Sequence, residues 1–337
     1  MEHAREVNDS YFVSRYRTIY TWQELGIPGL RMFGKHTMTQ ACAPLSPHFH
    51  KDAYEFTFVT EGAIHFTTQE KDYELSGSDV FMTRPDEVHS TNFRPLSAGE
   101  IIWFQLDVSN PDHFLFLSRE AAQELIADLA AMGGHVFRPG SRVFSDIRRA
   151  FDLAGAYSQR HLVCAYLTLA LYELTAASRR QEEGPDGQEK AFSPDIEKAV
   201  SYIRSNLTRE LSMEELAKLC RLSVSQFKQK FRAQVGMAPR HYVNYHKIQL
   251  AKKMLLDGMS VTNTAMELGF GSSSYFTVVF RRYSACTPSE FLHTQNAQNT
   301  QSAISLIRDR KARGCRLIPN FPPDMQERDN SREFVLF

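Results

Sequence analysis

The stretch ELGFGSSSYFTVVFRRY (267–283) decides how the second half of the chain is organised. Gly269 is free to take the left-handed conformation that ends a helix. Phe270 follows to plug the turn, and Ser272 or a neighbouring serine is placed to cap a new helix. On that helix Phe276 and Phe280 fall one turn apart on one apolar face, and the adjacent Arg281 and Arg282 close it. Upstream, Val261, Ala265 and Leu268 fit the inner face of a short preceding helix. Two short helices joined by a tight turn make a helix-turn-helix, whose second helix can enter a DNA major groove.

The same device occurs earlier, in LSMEELAKLCRLSVSQFKQKFRAQVG (211–236). Ser212 with Glu215, and Ser223 with Gln226, have capping-box spacing. Leu216 and Leu219 face inward on the first helix, and Phe227 and Phe231 repeat the one-turn spacing on the second. The polar positions Ser225, Lys228 and Gln229 fall off the Phe face. A helix before this pair is marked by Ile196, Val200 and Ile203, with Leu207 one turn further on. Between the two units, PRHYVNYHKIQLAKKMLLDG reads as one helix after Pro239, with Tyr242, Ile248, Ala251 and Leu255 inward. A rod of ~17 residues spans ~25 Å at ~1.5 Å per residue. It can hold two reading helices roughly one DNA turn, ~34 Å, apart. The plainer alternative is a helical bundle with a solvated face.

Residues 193–292 resemble the DNA-binding domain of AraC/XylS-type transcription regulators. The resemblance rests on Ala265, Gly269, Phe270, Ser272, Phe276, Phe280, Arg281, Arg282, Thr287 and Pro288 at that family's offsets. It implies base-facing roles for Ser225, Lys228 and Gln229 in the first unit, and for Ser273, Ser274, Thr277 and Val278 in the second. Arg281 and Arg282 are placed for phosphates. Val278 departs from the polar residue common in the family, so its contact would be apolar, for instance with a thymine methyl. Lys247, Ala285 and Leu292 stand where the family often has Arg, Gly and Arg.

Charge divides the 337 residues in the same way. Residues 1–177 carry 15 Lys/Arg against 22 Asp/Glu, whereas residues 195–293 carry 14 against 8, so the rear half is the one suited to a polyanion. Between them SRRQEEGPDGQEKAFSP (178–194) is polar, holds Gly and Pro, and reads as a linker. The composition, 42% hydrophobic and 23% charged, is that of globular domains. The five cysteines, Cys42, Cys164, Cys220, Cys286 and Cys315, are scattered without a CxxC pair, which disfavours a disulfide scaffold or zinc ribbon. No apolar run approaches the ~20 residues of a membrane span, and MEHAREVNDS is too polar for a signal peptide, so a cytoplasmic protein is expected.

The front of the chain alternates apolar and polar residues in short runs: YEFTFVTEGAIHFTT (54–68), YELSGSDVFMTR (73–84), EVHSTNFR (87–94) and IIWFQLDV (101–108). With turns expected at 61–62 and 76–78, the spacing predicts an antiparallel barrel or sandwich. HFHKDAYEFTFVTEG resembles the first cupin motif closely, with His48, His50 and Glu55. RPDEVHSTN, with His89, resembles the second loosely. Histidines two apart on a strand share a face, so His48, His50, Glu55 and His89 are candidates to converge on a divalent metal or on a polar effector such as a sugar or polyol. Arg31, Trp103, Tyr54 and Phe33 are further candidates to line a pocket, although an aromatic on a strand is more often core. A metal-dependent cupin enzyme carrying an accessory helical domain is the rival reading. Sensor cupins joined to AraC-type domains often keep such histidines as remnants or as polar pocket walls.

Three apolar-periodic helices are expected over 119–132, 142–158 and 160–177. The last, HLVCAYLTLALYELTAA, is apolar around most of its circumference and so calls for burial against the barrel or a second subunit. The resemblance makes this region a dimerisation element. The segment NDSYFVSRYRTIY (8–20) suits either a ligand-sensitive arm or an edge strand. The tail from 294 contains TQNAQNTQS and a Pro-rich run, which points to disorder or an accessory contact.

The resulting expectation is a multidomain α+β regulator. Residues 1–110 form a cupin-like β-barrel sensor, 111–177 a helical dimerisation segment, 178–194 a linker, 195–293 an all-α double helix-turn-helix, and 294–337 a tail. Its expected partners are double-stranded DNA, a small-molecule effector, RNA polymerase and a second copy of itself, with no membrane. No cofactor is required, a divalent metal is allowed, and activation of transcription is the commoner outcome in the family.

Overall fold

The computed structural model describes residues 5–6, 13–69, 71–182 and 192–294. Most of the expected linker, nearly all of the expected tail, Cys315 and the first part of the expected arm lie outside the described residues. Two units are separated, residues 1–290 and 291–337, and the elements below belong to the first.

The described front residues form ten strands, β1 (Arg5–Glu6), β2 (Arg17–Thr21), β3 (Leu30–Met38), β4 (His48–Phe49), β5 (Ala53–Thr68), β6 (Asp72–Ser76), β7 (Val80–Thr83), β8 (His89–Ser90), β9 (Gly99–Asp107) and β10 (Val136–Phe137). Their main path runs β1-β4-β8-β5-β9-β3-β2, with β6 and β7 also on β5 and β10 on β7. Apart from the parallel β1/β4 pair, the ladders are antiparallel. The latter part of the expected arm is thus the ordinary edge strand β2. The turn expected at 61–62 is absent. β5 runs through it for 16 residues and absorbs the irregularity as a register shift between Val59 and Glu61 against β9.

The period of two in the sequence sorts side chains onto two faces. Phe56, Phe58, Phe104 and Phe33 point outward and are covered by α2 (Arg119–Ala130), α3 (Ser141–Ala154) and α4 (Arg160–Glu182), which add Leu125, Phe144, Ile147, Leu167 and Leu171. Val59, Phe66, Phe81, Ile101 and Trp103 turn inward to a second cluster. Ile19 of β2 and Phe81 of β7 meet in that inner cluster, so the sheet curls on itself. Each buried Phe is worth about 1.5–3 kcal/mol relative to exposure. Helix α4 reaches Glu182, past the expected end at 177, and a short helix α1 (Trp22–Leu25) links β2 to β3.

The rear residues form α5 (Pro194–Ser205), α6 (Met213–Leu219), α7 (Val224–Val235), α8 (Pro239–Leu256), α9 (Val261–Glu267) and α10 (Ser273–Ser284). Ser223 and Gln226 form the full reciprocal box. At Ser212 only half of the expected box exists. Its hydroxyl accepts from Glu215 N at 3.0 Å, but the Glu215 carboxylate turns to Arg209 and Tyr202, a charge-assisted alternative to the neutral backbone donor. Ser272 caps α10 by accepting from Tyr275 N at 3.1 Å, and Gly269 takes φ +66° in the turn before it. Phe227, Phe231, Phe276 and Phe280 are all fully buried, as their spacing requires. Among the described residues no helix is long and apolar enough to cross a membrane.

Candidate effector site and nucleic-acid interface

Two strand pairings bring the front cluster together. His48 on β4 pairs with His89 on β8, and Glu55 on β5 pairs with Gln105 on β9. The His48 and His89 rings are 4.2 Å apart between centroids, and His50 lies 5.2 and 5.3 Å from them. One ligand nitrogen from each of His48, His50 and His89 lies within 4.8 Å of the other two. His50 Nε2 is 3.1 Å from Glu55 Oε2, and His89 Nε2 is 3.6 Å from Glu55 Oε1. Gln105 Nε2 donates to Glu55 at 2.9 Å and lies 3.3 Å from His50 Nε2.

Backbone carbonyls fix two of the rings. His48 Nδ1 lies 2.8 Å from Ser46 O and His89 Nδ1 lies 3.1 Å from Glu87 O, so the Nε2 atom of each remains for the cluster. His89 Nε2 is buried without a hydrogen bond among the described residues. A ring whose far nitrogen is held by a carbonyl while the near one faces a carboxylate beyond hydrogen-bond distance is oriented as a metal ligand is. Burial first, and then the neighbouring His89, push His48 down to about 4, so it is a neutral donor near neutral pH. Burial works to raise Glu55, but His50 and His89 hold its carboxyl well below the usual carboxylate range. Three imidazoles and a carboxylate are a donor set for a divalent transition metal, and equally for the hydroxyls of a polar ligand.

The other pocket candidates are dispersed. Trp103 lies on the inner face, two residues along β9 from Gln105, with its ring stacked over Gly34 and Arg17 beside it. Arg31 is paired at 2.7 Å with Asp107 in a separate recess of about 670 Å³ lined also by Trp22, Lys51 and Ser109. Phe33 and Tyr54 belong to the core under the helices, because the strand alternation turns them away from the histidines. Gln105 was not singled out in the sequence. Its signal is a lone amide inside the apolar run IIWFQLDV.

In the rear half, Ser225, Lys228 and Gln229 are exposed on α7, and Arg232, not anticipated, continues the same face one turn on. On α10, Ser274, Val278 and Arg281 form an exposed stripe, Val278 at 67%, with Tyr275 also exposed. Ser273 is half-buried, and the Thr277 hydroxyl donates to Ser273 O at 2.9 Å. Arg282 reaches back to His241 Nε2 at 2.8 Å, a half-buried imidazole lowered by its burial and by that guanidinium.

The two halves touch through polar contacts. Arg232 is 2.8 Å from Glu61 of β5, Tyr245 OH donates to Glu74 of β6 at 2.9 Å, and Ala41 N donates to Arg282 O at 2.7 Å. Gly77 and Gly236 approach so closely that a Cβ on Gly77 would lie 1.9 Å from the carbonyl oxygen of Gly236. Lys228, Gln229 and Arg232 line a cleft of about 890 Å³ whose opposite wall is Thr60, Glu100 and Arg148.

Two family matches cover these halves: residues 33–109 match the AraC-like ligand binding domain and residues 216–294 a helix-turn-helix domain. The chain is 34% identical over 95 residues to the virulence regulon transcriptional activator VirF of Yersinia enterocolitica, which covers 28% of this chain and 35% of that protein. The match therefore spans about a third of VirF. The HTH-type transcriptional activator RhaS of Klebsiella pneumoniae (strain 342) is 22% identical over 257 residues, 74% of this chain and 89% of that protein. Among solved structures, the DNA-binding domain of AdpA in complex with a target DNA aligns at 24% identity, 32% of this chain and 99% of that one, with a TM-score of 0.31. ToxT of Vibrio cholerae O395 aligns at 16% identity, 79% of this chain and 97% of that one, also with a TM-score of 0.31.

Proposed function

Since the chain belongs to the AraC family of transcription regulators, we propose that it binds specific DNA sites through α7 and α10 and activates transcription in response to a small polar effector. The observation that carries this reading is the pair of helix-turn-helix units, α6/α7 and α9/α10, with polar outward faces on one domain joined by the 18-residue α8. Ser225, Lys228, Gln229, Ser274 and Val278 would meet base edges, and Arg232 and Arg281 phosphates. The family is one of regulators rather than enzymes, and the metal-dependent enzyme reading of the histidine cluster is set aside on that ground.

The effector would enter the His48/His50/Glu55/His89 cluster. The same cluster fits a divalent ion. Bound there, the ion would cross-link β4, β5 and β8 and offer a Lewis-acidic anchor for effector oxygens. β5 carries both Glu55 in this site and Glu61, which holds Arg232, so a ligand that shifts β5 acts on the first reading helix. It does so only as far as it binds one arrangement more tightly than the other.

Homodimerisation completes the reading. Leu162, Ala165, Leu169 and Tyr172 are exposed on α4 at intervals of three, four and three residues, the seam spacing of paired helices. A dimer would present four reading helices to paired half-sites beside RNA polymerase, in the cytoplasm.

The test is to incubate the purified protein with fragments of its own genome near physiological salt and sequence what is retained. Enrichment of a few sites with paired boxes one helical turn apart supports the reading, and retention without sequence preference rejects it.

A further inference from the structure

Lys247 is a buried lysine, 4% exposed, in the middle of α8. Its ammonium donates to Arg209 O at 2.8 Å and to Leu268 O at 2.6 Å, and lies 5.4 Å from the Phe270 ring centre. These carbonyls belong to different helix-turn-helix units. Arg209 precedes α6, and its guanidinium is tied to Glu215 on α6 and to Tyr202 on α5. Leu268 ends α9, donating to Thr264 O at 3.1 Å, and Phe270 beyond it packs on Phe276 of α10 at 5.2 Å.

The units also meet directly here. A Cβ on Gly269 would lie 2.8 Å from Glu210 N and 2.9 Å from Arg209 C, so the turn of the second unit rests on the backbone that leads into the first. A desolvated ammonium is costly to bury and holds strongly the acceptors that compensate it. The Leu268 carbonyl, at the negative end of α9, is a favourable one.

We propose that Lys247 is a positioning residue that fixes the distance and rotational phase between the two reading helices and thereby sets which spacing of DNA boxes the protein accepts. This rests on the DNA-reading function proposed above. The helix α8 holds the two units apart as a rod, and a charged group clamped between the two turns adds the constraint on their angle. Two boxes on a duplex can be read together only if that angle matches the helical repeat of roughly ten base pairs.

The experiment uses the full chain and a genomic site that it retains. Single base pairs are inserted or removed between the boxes, and affinity is measured at each spacing for wild type, Lys247→Met and Lys247→Arg. Wild type should show a sharp optimum. Lys247→Met should flatten it, reducing the preference for the optimal spacing about five- to tenfold while affinity for a single box is kept. Lys247→Arg, which still donates to both carbonyls, should retain the optimum. If Lys247→Met proves unfolded by circular dichroism, Lys247→Gln, able to reach one carbonyl, should show partial flattening. A Met or Gln variant weakened equally at all spacings, or a wild type indifferent to spacing, overturns the positioning role. A wild type that retains no preferred site overturns the DNA-reading function itself.

Discussion

The guanidinium of Arg232, on the outward face of α7, lies 2.8 Å from the carboxylate of Glu61 on β5. The sensor thus offers Arg232 the kind of oxygen partner that a DNA phosphate would offer, and the two must compete. The Arg232 side chain is 58% exposed, so the contact is worth no more than about 1 kcal/mol. Glu61→Gln should therefore raise affinity for a retained site by up to about fivefold without effector. Fluorescence anisotropy on labelled duplex reads the change, and unaltered affinity would show that the pair does not oppose binding.

Salt dependence separates the cations. Lys228→Ala should make the slope of log affinity against log salt shallower by about one unit if Lys228 meets phosphate. If it instead reads a base, preference relaxes at one position of the site. Arg282→Ala should change the slope less, because its guanidinium is engaged by His241 at 2.8 Å.

The histidine cluster should bind one Zn²⁺ or Co²⁺ per chain, with a rise in melting temperature that a chelator reverses. His50→Ala and His89→Ala should each remove saturable binding. Isothermal titration that finds no saturable site in wild type would assign these residues to a polar effector alone.

His246 and His36 are each lowered to about 4, His246 by burial and then Arg204 against the pull of Glu74, His36 by burial and then Arg17. Unfolded histidines titrate near ~6.5, so between about pH 4 and 6.5 the unfolded chain binds more protons than the folded one. Stability should therefore be fully present above this window and fall as pH drops through it, on the order of 1 kcal/mol per pH unit per histidine. Urea midpoints across the window measure it. His246→Phe should remove part of the slope.

Leu169→Lys should dissociate the proposed dimer at micromolar concentration and abolish preference for paired half-sites over a single one, while each chain keeps its fold. Sedimentation velocity with circular dichroism reads both. A wild type that is monomeric under the same conditions would assign the α4 stripe another role.

The sequence by itself determined the elements of this protein wherever a local rule fixed them. Phe227/Phe231 and Phe276/Phe280 are one turn apart and must share a buried face, Ser223 and Ser272 have only helix starts to cap, and strand alternation sends Phe56 and Glu55 to opposite sides. The same alternation put His48 and His50 on one face, but bringing Glu55 of β5 and His89 of β8 beside them took the pairing of three strands. Other features came from residues far apart in the chain. Arg232 was invisible as a sensor contact because its partner Glu61 is 171 residues away. Gln105 gained meaning only opposite Glu55, and Arg31 lost its expected place to a pairing with Asp107. Tyr54 and Phe33 were taken up by the helices that cover the sheet. Lys247 read as one lysine on a long helix until folding brought Arg209 and Leu268 to its ammonium. Periodicity records which face a side chain occupies, and only tertiary packing decides what that face meets.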